Sequence, residues 1–167
     1  MYMQIDYLAN HSELIPTIAQ WQHEEWGKFR PEKTVTWRIK NLREQTDPAA
    51  IPLTFAAFSE LGPVGSASLV WHDMPERQEL SPWLASVFVH AQHRNQGIGS
   101  NLVNRVVKKA NALNFPILYL FTFDKVNLYE DLGWKFMEQL DYLGHEVTIM
   151  KIDTHIFKNK VPSSADR

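Results

Sequence analysis

The stretch His93-Arg94-Asn95-Gln96-Gly97-Ile98-Gly99-Ser100 constrains the fold of this chain more than any other. Immediately upstream, Trp83 to Val89 is a short apolar run rich in β-forming residues, which predicts a buried strand. Downstream, Ile98, Leu102, Val103, Val106, Val107, Ala110 and Leu113 recur at three- and four-residue intervals. Asn101, Asn104, Arg105, Lys108 and Lys109 fall between them, so the segment predicts an amphipathic helix.

Two glycines at the junction let the backbone turn sharply and leave no Cβ in front of the first helical amides. Those amides lack intrahelical acceptors, so they can converge on an anion that the helix dipole also favours. Arg94 adds a positive charge beside them. A phosphate or pyrophosphate is the guest this turn predicts.

The spacing Arg94-x-x-Gly97-x-Gly99 behind such a strand resembles the acetyl-coenzyme A signature of the GNAT superfamily of N-acetyltransferases. It lacks the longer gap and Lys-Ser/Thr pair of a P-loop, and it differs from the dinucleotide fingerprint. The resemblance implies an α/β (α+β) GNAT fold: a mixed, mostly antiparallel sheet of about six to seven strands with helices on both faces. A V-shaped splay would separate the central strand from its parallel neighbour. The resemblance also implies acetyl-CoA as co-substrate. Its pantetheine arm would pair with backbone groups of Val87, Phe88 and Val89, and its pyrophosphate would meet Arg94, Asn95, Gln96, Gly97, Ile98, Gly99 and Ser100.

The remaining chain supplies the other elements. Met3 to Leu8 predicts a first strand. Asn10 and Glu13 have capping-box spacing, so a helix should begin near His11, carry Pro16 in its opening turns and end at Gly27. Thr34 to Gln45 places Val35, Ile39 and Leu42 on one face and Arg38, Lys40, Arg43 and Glu44 elsewhere, predicting a second short helix. Leu53 to Ser59 and Val64 to Trp71 predict a hairpin, and Asp73 to Ser81 a loop. Beyond the central helix come an apolar strand at Ile117 to Phe123 and a short helix at Val126 to Leu132, stopped by Gly133. Lys135 to Leu140 and Glu146 to Ile152 predict the last two strands. Residues 1–153 read as one domain and 154–167 as a polar C-terminal tail with a loose end. The last strand could serve a homodimer or pair internally.

Hydrophobic residues make up 44% and charged residues 22% of the chain, which excludes a disordered polymer. No apolar run is long enough to cross a bilayer and the N-terminus lacks the layout of a signal peptide, so no membrane partner and a cytoplasmic location are expected. The chain contains no cysteine, which removes disulfides, thiolate metal sites and a cysteine acyl carrier. A formal net charge of −2 without a basic stripe argues against nucleic acid. His23-Glu24-Glu25-Trp26-Gly27 lacks the second histidine of a zinc-protease helix, and no metal is expected.

Acyl transfer from a thioester to an amine needs a neutral amine, a polarised carbonyl and a proton for the departing thiolate. Leu128 to Trp134 resembles the second family motif, whose tyrosine is read as the general acid, and Tyr129 holds that place. Packing of its helix is the alternative role. The asparagine many relatives carry two turns earlier is replaced by Thr122 or Phe123, which leaves Asn127 as the candidate coenzyme contact. Relatives often place a carboxylate on the central strand, whereas this strand offers Leu84, Ala85 and Ser86. Glu79 is therefore the candidate base, with His72-Asp73 and His145 as others. Acceptor-side candidates are Glu24, Glu25, Trp26, His72, Asp73, Trp83, Asp124 and His145, although for any one of them the structural reading is the better one: Trp26 and Trp83 as core anchors, the glutamates as a solvated helix face. Acids with indole faces suit a small cationic amine such as a polyamine or aminoglycoside-like compound. A peptide or protein amine is a second expectation, and a non-catalytic acyl-CoA-binding sensor a reading of another class.

Overall fold

The computed structural model describes residues 3–157. Seven strands form one sheet: β1 (Gln4–Tyr7), β2 (Leu53–Ser59), β3 (Gly62–Val70), β4 (Trp83–Val89), β5 (Ile117–Thr122), β6 (Lys135–Tyr142) and β7 (His145–Asp153). Their order is β1-β2-β3-β4-β5-β7-β6. Neighbours are antiparallel except β4 and β5, which run parallel. Four α-helices accompany them: α1 (Ile15–Trp26), α2 (Val35–Arg43), α3 (Ile98–Ala112) and α4 (Val126–Asp131).

Strand alternation sorts the side chains onto two faces. On β2, Phe55 and Ala57 join the core under α3, whereas Ala56 packs with Ile15, Ile18, Ala19 and Leu42 under α1 and α2. On β5, Leu118 and Leu120 share the α3 side, whereas Tyr119 and Phe121 pack with Trp83, Met74 and Tyr142 on the other. Helix α3 presents Ile98, Leu102, Val103, Val106, Val107 and Ala110, all buried. Each of its larger apolar side chains contributes about 1.5–3 kcal/mol by leaving water.

The parallel pair is joined at one register position, Trp83 opposite Tyr119, and by Tyr119 N–H donating to Pro82 O at 3.1 Å. Beyond it the two strands diverge. Trp83 pins the apex: it is fully buried, its indole Nε1 donates to Leu80 O at 2.7 Å, and its ring lies 5.9 Å from that of Tyr119. A bulge in β4 bends that strand. The β3–β4 register shifts between Ser66 and Ser68, and Ser86 adopts a φ of +55°, a left-handed conformation costly for a residue with a Cβ. The extra residue keeps Leu84, Val87 and Val89 all toward the α3 core, while Phe88 turns to Trp21 and Trp26 with ring separations of 5.5 and 6.3 Å.

Two local expectations are corrected, at the capping box and at Arg38, and the structure adds detail at the last strand and the C-terminal turn. Asn10 and Glu13 form no capping box: the chain makes two 3₁₀ turns, Leu8–Asn10 and Ser12–Leu14, before α1 starts at Ile15 with Pro16 in its first turn. Asn10 and His11 turn back to Asp6 instead. Arg38 is 7% exposed although the helical pattern set it apart from the apolar face. The last strand, β7, lies between β5 and β6, so both its edges are paired internally. Thr154–Phe157 forms a packed 3₁₀ turn, with Thr154 N–H donating to Pro116 O at 3.0 Å and Ile156 seated beside Gly133. The expected loose end falls at 158–167, outside the described residues.

Candidate active site

The turn between β4 and α3 leaves backbone amides free and open space in front of them. Gly97 occupies the N-cap of α3 with φ +81° and offers no side-chain cap. The first helical bond runs from Asn101 N–H to Gly97 O at 3.0 Å, which leaves the amides of Ile98, Gly99 and Ser100 without acceptors among the described residues. A Cβ on Gly97 would meet nothing within 4 Å, so positive φ is what selects glycine there. A Cβ on Gly99 would meet only Val89 Cγ2 at 3.5 Å, an ordinary contact, so packing within the protein does not demand glycine at 99. The open space before its amide is a cradle that a side chain would fill. Arg94 stands at the rim: Nε donates to Val89 O at 2.9 Å and the guanidinium lies 5.9 Å from the Phe88 ring.

The opening between β4 and β5 holds a cavity of about 560 Å³. Leu84, Leu120 and Tyr129 line it from the α3 side, and Met74, Phe121 and Tyr142 from the α1–α2 side, so it passes through the sheet. Ala85, Ser86, Val87 and Thr122 form its walls. Trp26, Phe29, Arg30, Glu32, Lys33 and Arg38 close one end, facing His72 to Pro75, Phe123, Asp124 and Lys125.

Two titratable groups in this cavity are strongly perturbed. Tyr129 is buried, and loss of water pushes its phenol up to about 12. Burial also raises the Asp73 carboxyl, to about 7, against the opposing pull of Lys33 and Arg30. Asp73 keeps some solvent access through the cavity although protein surrounds it densely. Tyr142 accepts a hydrogen bond from Arg30 Nη2 at 2.5 Å, and that guanidinium lies 5.2 Å from the tyrosine ring.

Of the residues the sequence singled out, Tyr129, Val87, Glu25, Trp26, His72, Asp73 and Asp124 line the cavity together. Arg94 to Ser100 form the turn between β4 and α3, Val89 borders it, and Phe88 continues the β4 edge. Asn127 is exposed on α4 and does not line the cavity. Glu79 also lies outside: it is exposed, with its carboxylate 3.9 Å from Arg77 Nε, because the loop before β4 points it to solvent. Glu24 is exposed and accepts from Gln20 at 3.0 Å. Trp83 is a core anchor, and His145 stacks edge-on against Phe29 and Phe123 behind the cavity wall. The sequence reading missed Arg30, Lys33, Arg38 and Tyr142. The one signal was the Thr34 cap, which fixes the phase of α2 and with it the direction of Arg38.

The acetyltransferase (GNAT) family model matches residues 15–134. The chain belongs to this family. Several solved structures share the fold of this GNAT acetyltransferase. An N-acetyltransferase from Staphylococcus aureus Mu50 matches with a TM-score of 0.71 at 16% identity, over 92% of this chain and 99% of its own. A spermidine N-acetyltransferase chimera from Vibrio cholerae and hSSAT gives 0.68 at 17%, over 96% and 100%. An aminoglycoside 6'-N-acetyltransferase complexed with coenzyme A gives 0.65 at 17%, over 90% and 97%. At these identities the likeness is one of fold. No curated protein matches the chain in sequence. Among the described residues of this GNAT domain, no three His, Cys, Asp or Glu side chains are grouped to hold a metal ion, and no helix is long and apolar enough to cross a membrane.

Proposed function

We propose that this acetyltransferase passes an acetyl group from acetyl-CoA directly to the primary amine of a small molecule. The cavity that crosses the sheet between β4 and β5 carries this reading, because it gives a donor and an acceptor opposite entrances to one reaction point. On the α3 side, the free amides of Ile98, Gly99 and Ser100 and the open cradle at Gly99 fit a pyrophosphate, with Arg94 beside them. The β4 edge from Leu84 to Val89, unpaired toward β5, suits an amide-bearing arm. When bound there, acetyl-CoA supplies an activated thioester.

The acceptor enters from the side of α1 and α2, where Glu25, Asp73 and Asp124 suit an ammonium group. Asp73 takes the ammonium proton: near 7, its carboxyl is matched to that task at physiological pH. Tyr129 supports the departing sulfur. At about 12 its phenol stays protonated, and it donates a hydrogen bond; handing over the whole proton is uphill against a thiol near 8.5. The C–N bond forms as the C–S bond breaks; the second proton shed by the nitrogen passes to the departing CoA sulfur, giving the free thiol, and the proton held by Asp73 leaves to solvent through the cavity mouth.

Calorimetric binding of acetyl-CoA, followed by amine-dependent release of free CoA from a panel of small amines and peptides, tests the proposal. Tight binding with release from small amines is the expected result. Release from peptides alone would replace the acceptor class, and binding without release from any amine would replace the enzyme with a coenzyme-sensing module.

A further inference from the structure

The acceptor end of the cavity carries more positive charge than an amine alone would call for. Arg30, Lys33 and Arg38 come from one short stretch, the loop after α1 and the first turns of α2, and all three line the cavity. None of them makes an ion pair among the described residues. Arg38 is the telling member. It is 7% exposed, its Nε donates to Lys33 O at 3.2 Å, and its two Nη nitrogens have no acceptor among the described residues. The stem of Arg38 is buried while its Nη nitrogens keep contact with the water of the cavity, and a planar fork left open toward a cavity without a protein counter-ion matches a carboxylate.

Burial holds both Arg38 and Lys33 below their usual ranges; Lys33 is also pushed down by Arg30 and Arg38 and held up by Asp73 and Glu32. The carboxylates acting on the group are therefore Glu32 and Asp73. With Glu32 exposed and Asp73 near 7, they offset the three cations only in part. The remaining charge suits a monoanion. Asp73 feels Lys33 and Arg30, while Arg38 responds to Glu32, so Asp73 and Arg38 answer to different partners within one cavity lining.

We propose that Arg38, with Lys33 and Arg30, forms a carboxylate subsite in the acceptor half of the cavity, and that the acceptor is an amino acid or related small zwitterion. Its ammonium group meets Asp73 and its carboxylate meets the Arg38 fork. This rests on the transferase reading above, and it narrows the acceptor from a cationic amine to one carrying both signs. Polyamines lack the anion that the subsite is built to hold.

The test uses matched pairs: the common α-amino acids and short ω-amino acids, each beside its carboxamide and its decarboxylated amine. Binding to the CoA-saturated protein is measured by calorimetry, and CoA release from acetyl-CoA is measured in parallel. The carboxylate member of the best pair is expected to bind at least tenfold tighter than its carboxamide. Arg38→Gln should reduce that ratio to near one, Arg38→Lys should restore part of it, and acetyl-CoA affinity should be unchanged in both. Lys33→Gln, at a partly exposed position, should lower the ratio severalfold and serves if Arg38→Gln does not fold. Equal or tighter binding of the carboxamides, a ratio unmoved by Lys33→Gln and Arg38→Gln, tighter binding of a phosphorylated amine, or no binding by any member would each overturn the subsite. A tenfold binding ratio with no CoA release from any pair would overturn the transferase reading and leave the subsite standing.

Discussion

At Asp73, burial and two neighbouring cations compete, and their balance leaves the carboxyl near 7, where its ordinary value is 3.8. A base works deprotonated, so kcat/KM should rise with pH through about 7 and then level. Asp73→Asn should abolish that inflection and lower the plateau by about 10²–10⁴. An unshifted pH profile in the variant would remove Asp73 from the chemistry. The same residue should weaken the fold. Its folded value lies above its unfolded one, so its stabilising protonated form is fully present below about 4 and lost as the pH rises through about 7. Asp73→Asn should therefore raise Tm more at pH 8 than at pH 4, by about 2–4 °C for each kcal/mol recovered. In the proposed mechanism Tyr129 donates one hydrogen bond to the departing sulfur, so Tyr129→Phe should cut kcat about tenfold to a hundredfold with acetyl-CoA affinity retained. An equal kcat would assign the ring to packing against Trp134, whose centroid lies 6.0 Å away.

The turn into α3 separates folding from binding at two glycines one residue apart. Gly97 needs its positive φ, so Gly97→Ala should lose about 1 kcal/mol in thermal or urea melts, with or without coenzyme. Gly99 has ordinary space for a Cβ inside the protein, so Gly99→Ala should leave Tm unchanged or slightly raised while weakening acetyl-CoA binding at least tenfold by calorimetry. Unweakened binding would move the pyrophosphate away from this turn. Helix α2 behaves similarly as a unit. The Thr34 hydroxyl accepts the Trp37 amide at 3.1 Å and starts the helix, and one turn later Arg38 is carried toward the cavity. The pattern Val35, Ile39, Leu42 locates α2 correctly in the chain, yet it reports only which residues pack beneath the helix. A side chain can be buried by a neighbouring loop as well as by the sheet, and Arg38 is.

For the whole molecule, the deciding feature is where the sheet stays closed. Seven strands share one sheet, and the parallel pair at its centre meets at Trp83 and Tyr119 alone. Trp83 ties β4, β5 and the preceding loop at that point, so Trp83→Ala should cost about 3–5 kcal/mol and lower Tm by roughly 6–20 °C. A loss under 1 kcal/mol would mean that the apex is held by the backbone alone. The internal place of β7 leaves β6 as the outer strand on that side, with Phe136 54% exposed.

The order of strands and helices, the glycine turn between β4 and α3 and the position of Tyr129 on α4 were legible in the sequence, because each depends on neighbours a few residues apart: alternation, helical spacing, and glycine where φ is positive. The Ser86 bulge left no such mark, since any apolar strand can be bent by an extra residue once its partners demand it. Nor did the sequence distinguish Asp73 from Glu79 as the carboxyl inside the cavity. Both sit in one polar loop, and the path of that loop over the sheet is set by the packing of Met74 and Leu80 in one cluster with the distant Tyr142, Val147 and Ile149. The meeting of Arg30, Lys33 and Arg38 with Asp73 was decided by tertiary structure alone, because their charges come from segments more than thirty residues apart, and only the folded sheet brings them to one cavity.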